Sequence, residues 1–331
     1  MHSNQFHWLI KFSFLKKKTS GSGYPLASLI MIVVLSVSVL FASRMSSRKF
    51  SIAAYIDQLM TLPEDQIDIG LVSLNLSKEF YPDLNIEAYS KKIDQLAQKV
   101  NVETRGSNQP PHRIWALNEV LFRQEGYGYD KETIQFGGFG PDHLNYLNHI
   151  LDTKQGNCLS LTTLYLAVAQ RLDYPIYPVL APMHSFLRYV DPITEKSYNI
   201  EVTTGGIINP DPYYVKTFGI SDKAIKAGTY LRIMKNREFS GILLTQNWLT
   251  HSHKARFDNN FSYLEKSIAL APLNPNAYRL LHDSHIYLSA ADEGGQSFNY
   301  HDLVDQYTKT VDELGYVAME NTPYVKEGWT K

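Results

Sequence analysis

Between Cys158 and Val202 the apolar pattern changes period once, and that change limits what this part of the chain can become. From Cys158 onward, Leu161, Leu164, Tyr165, Val168, Ala169 and Leu172 recur at three- and four-residue steps, the spacing of a buried helical stripe. Asp173-Tyr174-Pro175 ends that helix, because proline lacks an amide donor and pushes its predecessor out of the helical region. Beyond it, His184, Phe186, Arg188 and Val190 share one face of a period-two stretch, and Ser185, Leu187 and Tyr189 share the other. Asp191-Pro192 opens a turn, and Tyr198 to Val202 returns as a second strand. A helix feeding an antiparallel hairpin is an α+β arrangement, in which the helix buries its stripe on the sheet.

The helix starts at the only cysteine of the chain, after the polar turn Gln155-Gly156-Asn157. A thiol in the first turn of a helix meets the positive end of the helix dipole, which favours thiolate over thiol. A lone cysteine is otherwise a small, inert core residue. What distinguishes Cys158 is the company that follows: a histidine, His184, and an acid, Glu201, on two successive strands. If Val190 lies opposite Ser197, then His184 lies opposite Thr203, and Glu201 is its diagonal neighbour on the same face. A slip of one residue would carry Glu201 to the opposite face. Asn199 shares the face of Glu201 and competes for the place beside the ring. Nucleophile, histidine and orienting group in this layout suit thiol acyl transfer. The Cys158 N–H at the helix start is suited to stabilising an oxyanion, with the side chains of Asn157 and Gln155 as candidates for a second donor.

The rest of the chain adds context. With 32 basic and 33 acidic residues, it gives no electrostatic argument for nucleic acid as a partner. Residues 19–43 carry no charge and at ~1.5 Å per residue are long enough to cross a bilayer, with Leu26 to Phe41 as their apolar centre. Lys11, Lys16, Lys17 and Lys18 precede this stretch; Arg44, Arg48 and Lys49 follow it. The long basic lead-in favours an uncleaved single-pass anchor over a signal peptide, with membrane contact through residues 24–43. The slight charge bias puts the soluble part on the periplasmic, extracytoplasmic side. Helical spacing runs through residues 50–104, broken at Tyr81-Pro82-Asp83, and the glycine-rich segment 124–141 reads as an ordinary surface loop, with a flexible rim beside the thiol as the alternative. Residues 218–248 are mixed in pattern. Phe261 to Tyr278 is a helix closed by Pro272-Leu273-Asn274-Pro275 and followed at once by another helix, the joint of a helical repeat. An imperfect second copy runs from Ala277 past Gly294-Gly295 to Leu314; a helical hairpin packed on the first domain is the alternative. His251, His253, His282 and His285 lack metal-ligand partners at recognisable spacing and read as surface or packing histidines, so no metal is expected. No cofactor is expected either, since no phosphate-binding glycine loop accompanies a strand-to-helix switch.

Taken together, Gly156-Asn-Cys-Leu-Ser-Leu-Thr-Thr-Leu-Tyr-Leu-Ala167, Met183-His-Ser-Phe-Leu-Arg188 and Tyr198-Asn-Ile-Glu-Val-Thr-Thr204 resemble the transglutaminase-like superfamily. The branch most similar is a bacterial one, in which such a core precedes a tetratricopeptide-like tail. Gly70-Leu-Val-Ser-Leu74, Tyr81-Pro-Asp-Leu84 and Ala116-Leu-Asn-Glu-Val-Leu-Phe122 extend the resemblance over about residues 66–210. It implies a papain-like α+β fold with the nucleophile helix packed on an antiparallel sheet, and a Cys158–His184–Glu201 triad. The superfamily usually places aspartate third, so Glu201 departs from its pattern. The implied organisation is a basic segment and membrane anchor over 1–49, a transglutaminase-like domain over 50–217, and an all-α, tetratricopeptide-like region over 218–331. The expected function is a membrane-anchored, cysteine-dependent acyl-transfer enzyme that hydrolyses a peptide or isopeptide bond in a protein or peptide substrate. The alternative is a catalytically idle scaffold whose C-terminal helices bind a protein partner near the membrane.

Overall fold

A computed structural model describes residues 51–130, 142–255, 261–291 and 300–318. The N-terminal helical expectation resolves into three helices, each started by a side chain that accepts backbone N–H groups. These are α1 (Ile52–Thr61) capped by Ser51, α2 (Ile69–Ser77) capped by Asp68, and α3 (Ile86–Glu103) capped by Asn85. The break expected at Tyr81-Pro82-Asp83 falls between α2 and α3. Helix α4 (Pro110–Asn118) opens on two prolines, whose missing N–H groups would have no intrahelical partner in the first turn. It continues as a π-helical stretch, Glu119–Gln124. Two short parallel strands, β1 (Gly128–Tyr129) and β2 (Gln155–Gly156), bracket α5 (Leu147–Thr153). Helix α6 (Cys158–Gln170) follows β2 directly.

The one-sided stripe expected for α6 is too modest a description, because every residue from Leu159 to Ala169 is buried. One side packs on α2, α3 and α5, and the other on the sheet. Gly70 makes the approach of α2 possible: a Cβ there would stand 3.2 Å from Ala167 Cβ. The polar residues within this buried helix find partners, as burial requires. Thr162 Oγ1 donates to Ser185 O at 3.2 Å, and Thr163 Oγ1 donates to Leu159 O at 2.7 Å. Side chains such as Leu161, Leu164 and Val168 each contribute about 1.5–3 kcal/mol of apolar transfer here.

The sheet has the order β3 (Ile176–Ala181), β4 (His184–Val190), β5 (Ser197–Glu201) and β6 (Ile207–Ile208), with antiparallel neighbours throughout. Val190 pairs with Ser197 and Leu187 with Ile200, the register the hairpin pattern predicts. Alternation divides the faces: Leu187, Tyr189 and Ile200 join the core around α6, whereas Val179 and Phe186 join a second core beneath α7 (Asp211–Phe218). His184 and Glu201 therefore belong to the face that α7 covers.

After α8 (Asp222–Lys226), the long α9 (Asn236–Ala255) packs on α2, and the main core continues through Phe239, Leu244 and Trp248 to Leu264 and Leu281. Helices α10 (Ser262–Leu270), α11 (Pro275–Ala291) and α12 (Tyr300–Glu313) follow. The joint between α10 and α11 falls where the proline pattern puts it. Asn274 is buried there, accepting from the Asn276 N–H at 3.2 Å and donating to Thr245 Oγ1 at 2.9 Å. Among the described residues no helix is long and apolar enough to cross a membrane; the expected anchor within 1–49, the core of the glycine-rich loop (131–141) and the Gly294-Gly295 insertion lie outside them.

Candidate active site

The nucleophile turn is built by close packing and capping. Helix α5 ends on Lys154, in the left-handed region at φ 67°. Gly156 follows at a point where a Cβ would lie 2.3 Å from Ser160 Oγ and 2.8 Å from Ile150 Cδ1, so no larger residue fits without moving the helix. Asn157 caps α6. Its Oδ1 accepts from the N–H groups of Leu159 (3.0 Å) and Ser160 (3.1 Å), while its own N–H donates to Ser160 Oγ at 3.1 Å. The leading N–H groups of a helix have no intrahelical acceptor. Here Asn157 takes two of them, which leaves the Cys158 N–H at the mouth of the helix. Cys158 itself is half-buried and free of any disulfide.

His184 is the first residue of β4, with its side chain 8% exposed. Its Nε2 lies 2.8 Å from Glu201 Oε2, and the Cys158 side chain is near enough to act on the ring electrostatically. With Nε2 turned to the carboxylate, Nδ1 is the nitrogen left for the thiol. Glu201, at the end of β5 and 3% exposed, is held from its other oxygen: Oε1 accepts from the Thr203 N–H at 3.1 Å and from Thr203 Oγ1 at 2.6 Å. The His184 ring stacks on Phe218 of α7 at 4.8 Å between centroids and 12° between planes. Tyr214 stacks in turn on Phe186 at 3.8 Å. Burial works against charge on both members of the pair. Their mutual attraction outweighs it, with the nearby Cys158 side chain adding to the effect on the ring. The imidazole is pushed up to about 10 and the Glu201 carboxyl is held below its ordinary value, so the pair is charged at neutral pH.

Cys158, His184 and Glu201 thus come together. Asn199 does not join them: its Oδ1 accepts from Arg188 Nε at 2.6 Å, and its Nδ2 donates to Asn209 O (2.9 Å) and Asp211 Oδ1 (2.8 Å). Asn157 serves as the cap, with its oxygen taken twice and its nitrogen donating to Asn145 Oδ1. Gln155 stands on β2 beside Gly128, and its side chain makes no hydrogen bond among the described residues. Sequence reasoning missed Thr203, Phe218 and Tyr214. Thr203 had a findable signal, since an acid two residues before a threonine readily accepts from its backbone and hydroxyl. The aromatic cover had none, because it forms between segments distant in sequence. Of the histidines considered for metal, His282 pairs with Asp283 at 2.8 Å, and His285 stacks on Phe261 and donates to Leu281 O. No group of three or more histidine, cysteine or acidic side chains that could hold a metal gathers among the described residues.

Known proteins place this geometry in context. A UPF0162 protein of Xylella fastidiosa (strain Temecula1 / ATCC 700964) is 25% identical over 132 residues, covering 40% of this chain and 45% of that protein. A UPF0162 protein of Buchnera aphidicola subsp. Acyrthosiphon pisum is 29% identical over 105 residues, covering 31% and 36% respectively. The chain thus spans less than half the length of these curated relatives. The crystal structure of menin, described as revealing the binding site for the Mixed Lineage Leukemia protein, aligns with a TM-score of 0.40 at 13% identity, over 80% of this chain and 68% of menin. At that score the likeness carries no argument. The profile of the transglutaminase-like superfamily matches residues 87–244, from α3 into α9, and the matched segment contains Cys158, His184 and Glu201. Over residues 87–244, just under half of its length, the chain is therefore similar to the transglutaminase-like superfamily.

Proposed function

We propose that the chain is a membrane-anchored, cysteine-dependent acyl-transfer enzyme that hydrolyses a peptide or isopeptide bond. The observation that carries this reading is the buried His184–Glu201 pair, 2.8 Å apart, beside a half-buried thiol at a helix start. A charged imidazolium beside a thiol favours the thiolate, and the helix start adds to that preference. In the first step Sγ attacks the acyl carbon, forming a C–S bond, and the carbonyl electrons move to oxygen. The Cys158 N–H faces that oxyanion. As the tetrahedral species collapses, the C–N bond breaks and His184 gives its proton to the departing amine. Water then attacks the thioester while His184 takes a proton from it, the C–S bond breaks, and the carboxylic acid leaves with the thiolate restored. Glu201 keeps the ring oriented and balances its charge in both halves. Water is the acceptor in this reading because no feature of the sequence marks an amine-binding site.

The anchor is assigned to residues 24–43, with the catalytic core on the extracytoplasmic side. The C-terminal helices are read as a tetratricopeptide-like arm that presents a protein substrate or partner. The test is covalent labelling of the full chain in detergent by thiol-reactive acyl probes. Labelling that is lost in Cys158→Ala, with the fold retained, supports the enzyme; labelling unchanged in that variant overturns it. A wild-type chain that resists labelling supports the idle scaffold instead.

A further inference from the structure

The β3–β4 turn holds a residue that its backbone disfavours. Ala181 pairs with His184, so Pro182 and Met183 form a two-residue loop, and Met183 sits at φ 54°. Glycine takes that conformation without steric cost, whereas a residue with a Cβ does not. Arg105, Lys154, Asp173 and Glu195 also have positive φ; Asp173 is a residue turns favour, and the other three carry charged side chains that need no apolar partner. Leu231 is large and apolar at φ 61°, yet it is only 8% exposed, so packing offsets its strain. Among the described residues Met183 alone combines positive φ with an exposed apolar side chain, 42% open to solvent. Its burial in the free protein does not repay the conformation, and it directly precedes His184.

We propose that Met183 is a specificity-determining residue: its thioether packs on an apolar side chain of the substrate beside the reacting carbonyl. The site then prefers acyl groups bearing a large apolar side chain over glycyl ones. An unbranched, polarisable thioether suits this role, because it adapts to apolar groups of different shape. The short loop fixes where the side chain starts, one residue from the ring that handles the proton. This inference rests on the thiol-enzyme reading and adds a substrate class to it.

The test compares inactivation of the full chain by benzyloxycarbonyl-phenylalanyl and benzyloxycarbonyl-glycyl chloromethyl ketones, with iodoacetamide as the small reference reagent. The wild type is expected to prefer the phenylalanyl reagent. Met183→Gly, which relieves the backbone, lowers that preference about tenfold, while the iodoacetamide rate stays unchanged. Met183→Leu retains the preference. A wild type without preference, or a preference untouched by Met183→Gly, overturns the inference while leaving the thiol-enzyme reading intact. Slow iodoacetamide alkylation that ignores loss of His184 instead overturns the reading of the site, and this inference with it.

Discussion

Replacing Glu201 by glutamine keeps the shape of the side chain and removes its charge. The carboxylate oxygen lies 2.8 Å from His184 Nε2 in a site where Glu201 is 3% exposed. Charge centres about 4 Å apart attract by about 4 kcal/mol at an effective dielectric of ~20, close to three decades in an equilibrium constant. The change of hydrogen-bond character acts in the same direction. Oε1 is committed to accepting from Thr203 N–H and Oγ1, so the new amide group points its NH₂ at His184 Nε2. The ring must then present Nε2 as an acceptor and its one proton on Nδ1, leaving a neutral imidazole beside Cys158. An unassisted cysteine titrates near ~8.5 and is only ~0.3% thiolate at pH 6. Alkylation of Cys158 by iodoacetamide at pH 6, followed by intact mass, is therefore expected to fall about 10²–10³-fold in Glu201→Gln. At pH 9, where an ordinary thiol is largely ionised, the two proteins converge. A pH 6 rate within about threefold of wild type would mean that the Glu201-supported imidazolium does not activate the thiol.

Three further outcomes follow from the same contacts. The raised His184 value stabilises the fold fully below about pH 6.5 and less as pH rises toward about 10, while the lowered Glu201 value stabilises above about pH 4.5 and less as pH falls through it. The melting-temperature advantage of wild type over His184→Gln should thus peak between about pH 4.5 and 6.5 and shrink on both sides; a pH-independent advantage contradicts the charged pair. Gly156→Ala drives a methyl into Ser160 Oγ and Ile150 Cδ1 and is expected to cost about 1–3 kcal/mol in denaturant unfolding, an unchanged midpoint being the contrary result. Asn157→Ala removes the cap of α6 and is expected to cost about 1–2 kcal/mol by the same measurement, whereas replacement by aspartate, another good cap, recovers most of it.

What could be read from the sequence was whatever has a short period or a nearby partner. The register of β4 on β5 was legible because both strands alternate and the Asp191-Pro192 turn fixes their offset. The seat of Cys158 was legible because glycine, a capping asparagine and an apolar helix lie in succession. The choice between Glu201 and Asn199 was not. Both face the same way, and Arg188 with the later-arriving Asp211 is what claims Asn199. The burial of α6 on all sides escaped notice because Ser160, Thr162 and Thr163 look like a solvent face until their hydrogen bonds are seen. Phe218 fell in a stretch of mixed pattern, and its stacking on His184 depends on α7 folding back over the sheet, which no local period encodes.

The proposed function rests on His184 activating Cys158 as the nucleophile. Its most direct test is the pH dependence of iodoacetamide alkylation of the full chain, measured beside His184→Ala. The account predicts rapid alkylation of Cys158 below pH 7 that the substitution slows by about two orders of magnitude. Slow alkylation that rises only above pH 8, equally in both proteins, would contradict it and leave Cys158 an inert thiol.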